Sequence, residues 1–410
     1  MQKLILSLLI TLGFLLTGCS IFNSNSNPII IPSTSPDDTK PQSQVEEVDA
    51  LQLKIDGMSL DEKIGQLVIV GLDGYSLGTD ISNLIKEFKV GGVILFSNNV
   101  KNSNQLLGLI NSLKSINSQN KTPLFISVDE EGGRVSRMPN DIKKLPSSQI
   151  IAKKNDSNLS FNIGKVIGEE LNLFGFNMDF APVLDINSNP NNSVIGDRSF
   201  GNNVNIVNKL GIKTMEGIIS NNVIPVVKHF PGHGDTLVDS HVGLPVVNKD
   251  LSKLNEFELL PFKEAIKKKI DTIMVSHILL NKVDATNPSS MSKAVITGIL
   301  RESLKFQGVV ITDDMTMGAI IKYFDIGDAS VKSINAGSDI ILVCHGYNNE
   351  LKVINSLKAA VLSNVIKESR LDESVYRVLK LKEKFNINND SIDSVNTFII
   401  NNKIQNLLSR

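Results

Sequence analysis

The fold is decided by a repeating unit, shown most clearly by residues 308–343, which read GVVITDDMTMGAIIKYFDIGDASVKSINAGSDIILV. Apolar, β-branched runs at 308–312 and 339–343 enclose a polar turn and a segment of helical period. Strands that alternate with helices in this way predict a parallel sheet. The strand cores are apolar throughout, as expected of strands that are covered on both faces.

The same strand, turn and helix unit recurs eight times along the chain. We predict strands at 67–71, 92–96, 124–128, 177–182, 224–228, 272–276, 308–312 and 339–343. Helical segments include 158–174, 204–220, 251–269 and 292–306, and a further helix at 371–385 packs outside the sheet. Eight units in about 340 residues predict an α/β fold, a (β/α)8 TIM barrel formed by a single domain.

A doubly wound open sheet is the alternative arrangement of these units. An open sheet gathers its functional residues at one switch point, whereas a barrel brings the ends of all its strands to one face. In this chain, titratable residues end or follow many different strands, namely Asp129, Asp185, His229, His277, Asp313 and His345. The barrel is therefore favoured.

The composition narrows the classes of function. The chain has 410 residues, 41% of them hydrophobic and 21% charged, which is typical of a globular protein. Its net charge of −1 lacks the basic excess of nucleic-acid-binding proteins, so no nucleic-acid partner is expected. The chain has no Trp and only 4 Tyr, which disfavours a long sugar groove lined with indole rings. If the ligand is a sugar, the composition favours a short oligosaccharide over a long one.

The N-terminal segment resembles a bacterial lipoprotein signal. Lys3 precedes an apolar run at 4–16, and Leu16, Thr17, Gly18 and Cys19 resemble a lipobox. The run is shorter than the roughly 20 residues that a membrane-spanning helix needs. We predict a signal peptide at 1–18, a lipidated Cys19 with a disordered tether at 19–47, and the barrel domain at 48–410. The lipid anchor would hold the protein on the extracytoplasmic face of the cell membrane.

Residues 228–241 concentrate titratable groups in one loop. They read KHFPGHGDTLVDSH and contain three of the five histidines of the chain. Asp239 precedes His241 by two residues, so its carboxylate can hydrogen-bond the imidazole, fix its tautomer and raise its basicity. This pair suits a general acid/base, whereas His233 is explained equally well as a turn residue.

A metal site is the rival interpretation of this histidine cluster. Amidohydrolase-type barrels place a His-x-His pair at the end of the first strand. Here that strand ends Val70, Gly71, Leu72 and Asp73, and none of these is a histidine. We therefore expect neither a metal ion nor another cofactor.

Three further motifs accompany the histidine loop. They are VDEEGGRV at 128–135 with Arg137, DRSF at 197–200 and TDDM at 312–315. Together with KHFPGHG at 228–234 and Asp-Ser-His at 239–241, they resemble the β-N-acetylhexosaminidases of glycoside hydrolase family 3 over residues 60–385. Glu130 departs from the pattern, because Gln is common there in the relatives.

The resemblance implies a role for each matching residue. Asp313 is the nucleophile of a retaining mechanism, and Asp239 and His241 form the acid/base dyad. Asp314 is the competing nucleophile, but Asp313 is favoured because it ends the strand while Asp314 suits a helix N-cap. The residues that bind the hydroxyls of the outermost sugar are Asp129, Arg137, Arg198, Lys228 and His229.

Together with these roles, the resemblance implies a retaining exo-β-N-acetylglucosaminidase that removes terminal, non-reducing, β-linked N-acetylglucosamine from muropeptide fragments of the cell wall. One alternative is a β-N-acetylglucosaminide phosphorylase, because a histidine acid/base carries no full negative charge and repels phosphate less than a glutamate does. A different class, the solute-binding lipoprotein of a sugar transporter, would share the anchor and the α/β pattern. A solute-binding protein of that class would be built from two lobes and would have no nucleophile, whereas this sequence predicts a single barrel with Asp313 as a nucleophile.

Overall fold

The structure is a computed structural model, and it describes residues 49–409. The predicted signal peptide, Cys19 and the tether lie outside the described residues, so they remain predictions. Within residues 49–409, no helix has the length and apolar character that crossing a membrane requires. The strands of this part of the chain are β1 Val68–Val70, β2 Gly92–Leu95, β3 Phe125–Val128, β4 Met178–Asp179, β5 Ile224–Pro225, β6 Val227–Phe230, β7 Val246–Val247, β8 Thr272–Val275, β9 Leu279–Leu280, β10 Val309–Asp314 and β11 Ile340–Val343.

Nine of these strands form one parallel sheet in the order β5, β4, β3, β2, β1, β11, β10, β8, β6. Only Val226 separates β5 from β6, so these two are the halves of a single interrupted strand. One half pairs with β4 and the other with β8, which closes the sheet on itself. The predicted (β/α)8 barrel is confirmed, and the open-sheet alternative is wrong.

Helices follow the barrel strands and cover the outside of the sheet. A π-helix, Ala294–Ser303, accompanies the α-helices α1 Ala50–Asp56, α2 Leu60–Gln66, α3 Thr79–Lys86, α4 Ser103–Ile116, α5 Ser148–Lys154, α6 Ser157–Phe174, α7 Val204–Ile219, α8 Leu251–Glu256, α9 Leu260–Lys267, α10 Gly318–Ile321, α11 Ile326–Ala336, α12 Tyr347–Leu362, α13 Glu368–Lys384 and α14 Thr397–Leu408. The apolar side chains between sheet and helices form the larger part of the core.

Two predicted helices differ from the observed ones. The segment 251–269 is two helices, α8 and α9, because the chain leaves helical geometry at Phe257 and Pro261 opens a new helix in its first turn. Proline has no N–H and is tolerated there, since that donor has no partner within the helix. The segment 292–306 forms the π-helix, whose i to i+5 hydrogen bonds widen each turn.

A buried carboxylate ties the last strand to the outer helices. Asp339 begins the segment that leads into β11, and its side chain has no exposed surface. Its oxygens accept hydrogen bonds from Arg301 of the π-helix and from Arg377 and Arg370 of α13, the latter two at 3.0 and 3.4 Å. These arginines overcome the effect of burial and hold the pKa of Asp339 below its usual value.

Replacing Asp339 by Asn should lower the free energy of unfolding by about 3 to 5 kcal/mol, because it leaves buried arginines without their counter-charge. Urea denaturation measures the change. The matched control is Asp61→Ala, which breaks the exposed pair between Asp61 and Lys358 and should cost about 1 kcal/mol at most. Equal losses in the two variants would show that the buried cluster adds nothing.

Candidate active site

A cavity of about 430 Å³ opens at the carboxyl ends of the barrel strands. Its floor is formed by the apolar side chains that fill the barrel, including Ile94, Phe180, Met274 and Leu342. Its wall contains all the predicted sugar-binding residues and two of the predicted catalytic ones, namely Asp129, Arg137, Arg198, Lys228, His229, His241 and Asp313. Asp239 does not line the cavity and lies next to His241 instead.

The inner end of the cavity is a network of paired charges. The Lys228 ammonium contacts Asp129 Oδ1 and lies 2.7 Å from Glu131 Oε1. Arg198 donates two parallel hydrogen bonds to Glu131, of 2.8 and 2.7 Å. Burial alone would raise the pKa of Glu131, but Arg198 and Lys228 outweigh it and hold that pKa well below its usual value. These fixed donors and acceptors can bind sugar hydroxyls.

His229 is oriented by a buried aspartate. Its Nδ1 lies 2.6 Å from Asp185 Oδ2, and its Nε2 lies 3.3 Å from Arg198 Nη2. Because arginine has only donors, Nε2 accepts, and Nδ1–H therefore donates to Asp185. The sequence placed Asp185 at a strand end but did not reveal this supporting role, which depends on a contact across 44 residues.

The two adjacent aspartates at the end of β10 make different contacts. The Asp314 carboxylate accepts from Thr316 N, Cys344 N and the Thr316 hydroxyl, at 2.9, 2.9 and 2.6 Å. Among residues 49–409, Asp313 Oδ1 accepts a hydrogen bond only from the N–H of Asp314, at 2.9 Å. Asp314 therefore holds the turn after the strand, and the Asp313 carboxylate retains unoccupied acceptor sites at the cavity.

Nearby histidines favour the ionised form of Asp313. Removal from water raises its pKa, but His277, His229 and the Asp314 N–H together hold the pKa below its usual value. His277 is fully buried, and its Nε2 lies 2.9 Å from the carbonyl oxygen of Asp314. An ionised carboxylate at this position can act as a nucleophile at neutral pH.

His241 lies at the mouth of the cavity and is paired with Asp239. The two side chains, 68% and 40% exposed, are joined by a contact of 2.8 Å between Nδ1 and Oδ1. The loop is anchored on α10, because Ala319 N donates to Ser240 O at 2.9 Å. A Cβ on Gly318 would lie 2.5 Å from His241 O, so this close approach requires glycine. The helix that follows the Asp313 strand thus positions the His241 loop.

A family model described as the N-terminal domain of glycosyl hydrolase family 3 matches residues 59–381. The chain belongs to this family. Beta-hexosaminidase A of Pseudoalteromonas piscicida is 37% identical over 351 residues, which are 80% of this chain and 58% of the relative. The chain therefore spans little more than half the length of that relative. Beta-hexosaminidase of Methylobacillus flagellatus is 32% identical over 297 residues, 71% of this chain and 84% of the relative.

Solved structures of family 3 share the fold of this chain. The glycoside hydrolase family 3 beta-N-acetylglucosaminidase of a Paenibacillus species superposes with a TM-score of 0.82 at 38% identity. The match covers 85% of this family 3 chain and 68% of the Paenibacillus chain. The family resemblance inferred from the motifs is thereby confirmed, whereas the roles of individual residues remain predictions.

Glu130, the departure from the family pattern, does not line the cavity of this family 3 chain. Its side chain is buried, and its Oε2 accepts the N–H of Arg137 at 2.8 Å. Its own N–H donates to Asp179 Oδ1 at 2.9 Å. Burial raises the pKa of Glu130 to about 7. Glu130 therefore supports the backbone at Arg137. The negative charges next to Lys228 in the sugar site belong to Asp129 and Glu131.

His233 does more than the turn residue that its sequence context suggested. It is buried, and its Nδ1 lies 2.7 Å from the Thr236 hydroxyl. Its Nε2 lies 3.3 Å from the Ser240 hydroxyl, directly before His241. Its backbone N–H donates to Asp185 at 2.6 Å. His233 therefore holds both ends of the loop that carries the predicted acid/base.

His233 should make the family 3 barrel less stable in acid. Burial lowers its pKa to about 4. In the unfolded protein this histidine has a pKa of about 6.5 and binds a proton at a higher pH than it does in the folded protein. The folded state therefore keeps its full stability above about pH 6.5 and loses stability as the pH falls toward the folded pKa. From pH 7 to pH 4 the loss is on the order of 3 kcal/mol. Urea denaturation of the wild type and His233→Asn should show a smaller loss in the variant, and an equal loss would contradict this assignment.

Among residues 49–409, no group of three or more His, Cys, Asp or Glu side chains could hold a metal ion. The expectation that catalysis needs no metal remains a prediction for a chelation assay.

Proposed function

We propose that this protein is a retaining exo-β-N-acetylglucosaminidase that releases terminal, non-reducing, β-linked N-acetylglucosamine. The main support for the proposal is that a carboxylate and a histidine line the same cavity. Asp313, with its pKa held below the usual value, lies on the inner wall, and His241 with Asp239 lies at the mouth. The names of the relatives support the choice of an N-acetylhexosaminide.

The first step forms a bond between Asp313 and the sugar. Asp313 attacks the anomeric carbon, the bond to the leaving oxygen breaks, and His241 donates a proton to that oxygen. In the second step, His241 takes a proton from water, the water oxygen attacks the same carbon, and the ester to Asp313 breaks. Two inversions retain the β configuration. Asp239 stabilises the imidazolium at each stage.

An exo action is consistent with the inner end of the cavity. Lys228, Glu131 and Asp185 are almost completely buried there, so the charged network forms a wall that a chain of sugars cannot pass. Only a terminal sugar could therefore bring its anomeric carbon to Asp313. The leaving group must extend through the mouth, past His241.

We further propose that the enzyme is lipid-anchored at Cys19 on the extracytoplasmic face of the membrane and acts on muropeptides. Leu16 to Cys19 support the anchor, and an extracytoplasmic enzyme would meet cell-wall fragments. The Cys19→Ala variant should appear in the soluble fraction with unchanged specific activity. Retention of that variant on membranes after removal of its signal peptide would contradict the anchor.

A chromogenic assay tests the proposed activity. The wild type should release nitrophenol from p-nitrophenyl N-acetyl-β-glucosaminide, and early NMR spectra should show the β anomer of free N-acetylglucosamine. A first product of α configuration would contradict the retaining mechanism. Adding inorganic phosphate distinguishes the phosphorylase alternative, because N-acetylglucosamine 1-phosphate would then replace the free sugar. No release of nitrophenol by the folded protein would overturn the proposed function.

A further inference from the structure

Five exposed apolar side chains lie on two segments that meet beside the cavity mouth. Three belong to the His241 loop and two to the segment at the end of α10, and we call them the apolar rim: Leu237, Val238, Val242, Ile321 and Tyr323. Leu237 is 75% exposed and Val242 is 63% exposed. Apolar side chains concentrated on one exposed surface mark an interaction site more often than isolated ones do.

The two segments of the apolar rim lie against each other. Lys322 Nζ donates to Val242 O at 2.7 Å. A Cβ on Gly243 would lie 3.6 Å from Val238 Cγ1 and 3.8 Å from Tyr323 Oη, so those side chains flank one point of the loop. Ile321 also lines the cavity beside His241. The rim is therefore continuous with the wall of the active site.

Packing of the loop does not account for these side chains. The contacts that anchor the loop on α10 involve the backbone atoms of Ser240, His241 and Val242. Exposed apolar surface gains free energy when a ligand removes it from water. A ligand that covers the apolar rim would therefore gain binding free energy, because these side chains are not buried by the fold itself.

The position of the apolar rim at the cavity mouth indicates which part of the substrate it contacts. His241 must lie within hydrogen-bond distance of the leaving oxygen, so the group attached to that oxygen lies at the mouth. Because the inner end of the cavity is closed by Lys228 and its partners, this group cannot extend in the opposite direction. The leaving group therefore meets Ile321 and the residues around it.

We propose that the apolar rim binds the second sugar of the substrate through the apolar C–H face of its pyranose ring. Tyr323 supplies an aromatic face, and Ile321 and Val242 flank it. This inference rests on the proposed function, because it uses the placement of His241 at the leaving oxygen. It makes the rim a determinant of specificity for disaccharides over glycosides with a small leaving group.

Two substrates whose leaving groups both need a proton from the enzyme test this inference. The variants Val242→Ser and Tyr323→Ser should lower kcat/KM for N,N′-diacetylchitobiose about tenfold, mainly through KM, because each loses apolar contact with the second sugar. Hydrolysis of methyl N-acetyl-β-glucosaminide should change about twofold at most, since methanol is too small to cover the rim. Retained activity on the methyl glycoside also shows that the variants are folded.

Leu362→Ser is the matched control. Leu362 is 71% exposed, but it ends α12, so it lies at the opposite face of the barrel and should affect neither substrate. An equal loss on both substrates, or no loss on chitobiose, would overturn the inference. So would vesicle sedimentation in which soluble wild-type protein binds phospholipid and the rim variants do not, because the rim would then be a lipid-binding surface. If the wild type cleaves neither substrate, the proposed function itself fails.

Discussion

Replacing Asp313 by Ala is expected to lower kcat on the order of 10⁵- to 10⁶-fold, since no ester to the enzyme can form. The loss should be this large because the adjacent carboxylate cannot take over. Asp314 accepts hydrogen bonds from Thr316 and Cys344, and these contacts hold both of its oxygens at the turn. Initial rates with p-nitrophenyl N-acetyl-β-glucosaminide measure the change.

Asp314→Asn is the informative control for this prediction. It keeps the shape of the side chain but weakens the hydrogen bonds to Thr316 and Cys344. The variant should therefore lose stability, while the nucleophile remains in place and kcat falls far less than in Asp313→Ala. The opposite order of activities, with Asp313→Ala the more active variant, would assign the nucleophile to Asp314.

Replacing His241 by Ala is expected to slow the two chemical steps unequally. With chitobiose, the leaving sugar needs a proton, so kcat should fall by about 10² to 10⁴. A nitrophenolate leaves with little protonation, so formation of the glycosyl-enzyme should be spared with that substrate. Hydrolysis of the glycosyl-enzyme still needs a base to deprotonate water. Stopped-flow absorbance should therefore show a burst of nitrophenol followed by slow turnover.

Asp239→Asn distinguishes the contribution of Asp239 from that of His241. Asp239 acts through His241, to which it is joined at 2.8 Å, so its loss should affect both steps less than removal of the imidazole does. An identical fold-loss on chitobiose and the nitrophenyl glycoside in His241→Ala, with no burst, would show that His241 is not the acid/base.

The barrel could be predicted from the sequence because its strands have a simple signature. The cores of these strands, such as 309–311 and 340–343, are apolar on both faces, and each precedes a segment of helical period. The two helices that were predicted incorrectly, at 251–269 and 292–306, differ from the observed ones in features that hydrophobic periodicity does not show. Pro261 divides a segment that is amphipathic on both sides of the break. The buried apolar residues of the π-helix, Val295, Ile296, Ile299 and Leu300, keep the i, i+4 spacing that predicts an α-helix.

The candidate site could be predicted less completely. The barrel brings strand ends to one face, so Asp129, Lys228 and Asp313 were expected to lie together. The roles of Glu131, which pairs with Arg198, and of Asp185, which orients His229, depend on contacts between distant segments. Their positions within a motif and at a strand end were available signals, but the sequence does not show which partners they contact.

Mass spectrometry of His241→Ala shows whether Asp313 forms a covalent bond with the sugar. The variant is mixed with the nitrophenyl glycoside and quenched during the burst, and its intact mass is compared with that of the free protein. One added N-acetylhexosamine is expected, located by peptide mapping on Asp313. An adduct on Asp314, or an unmodified protein under burst conditions, would contradict it.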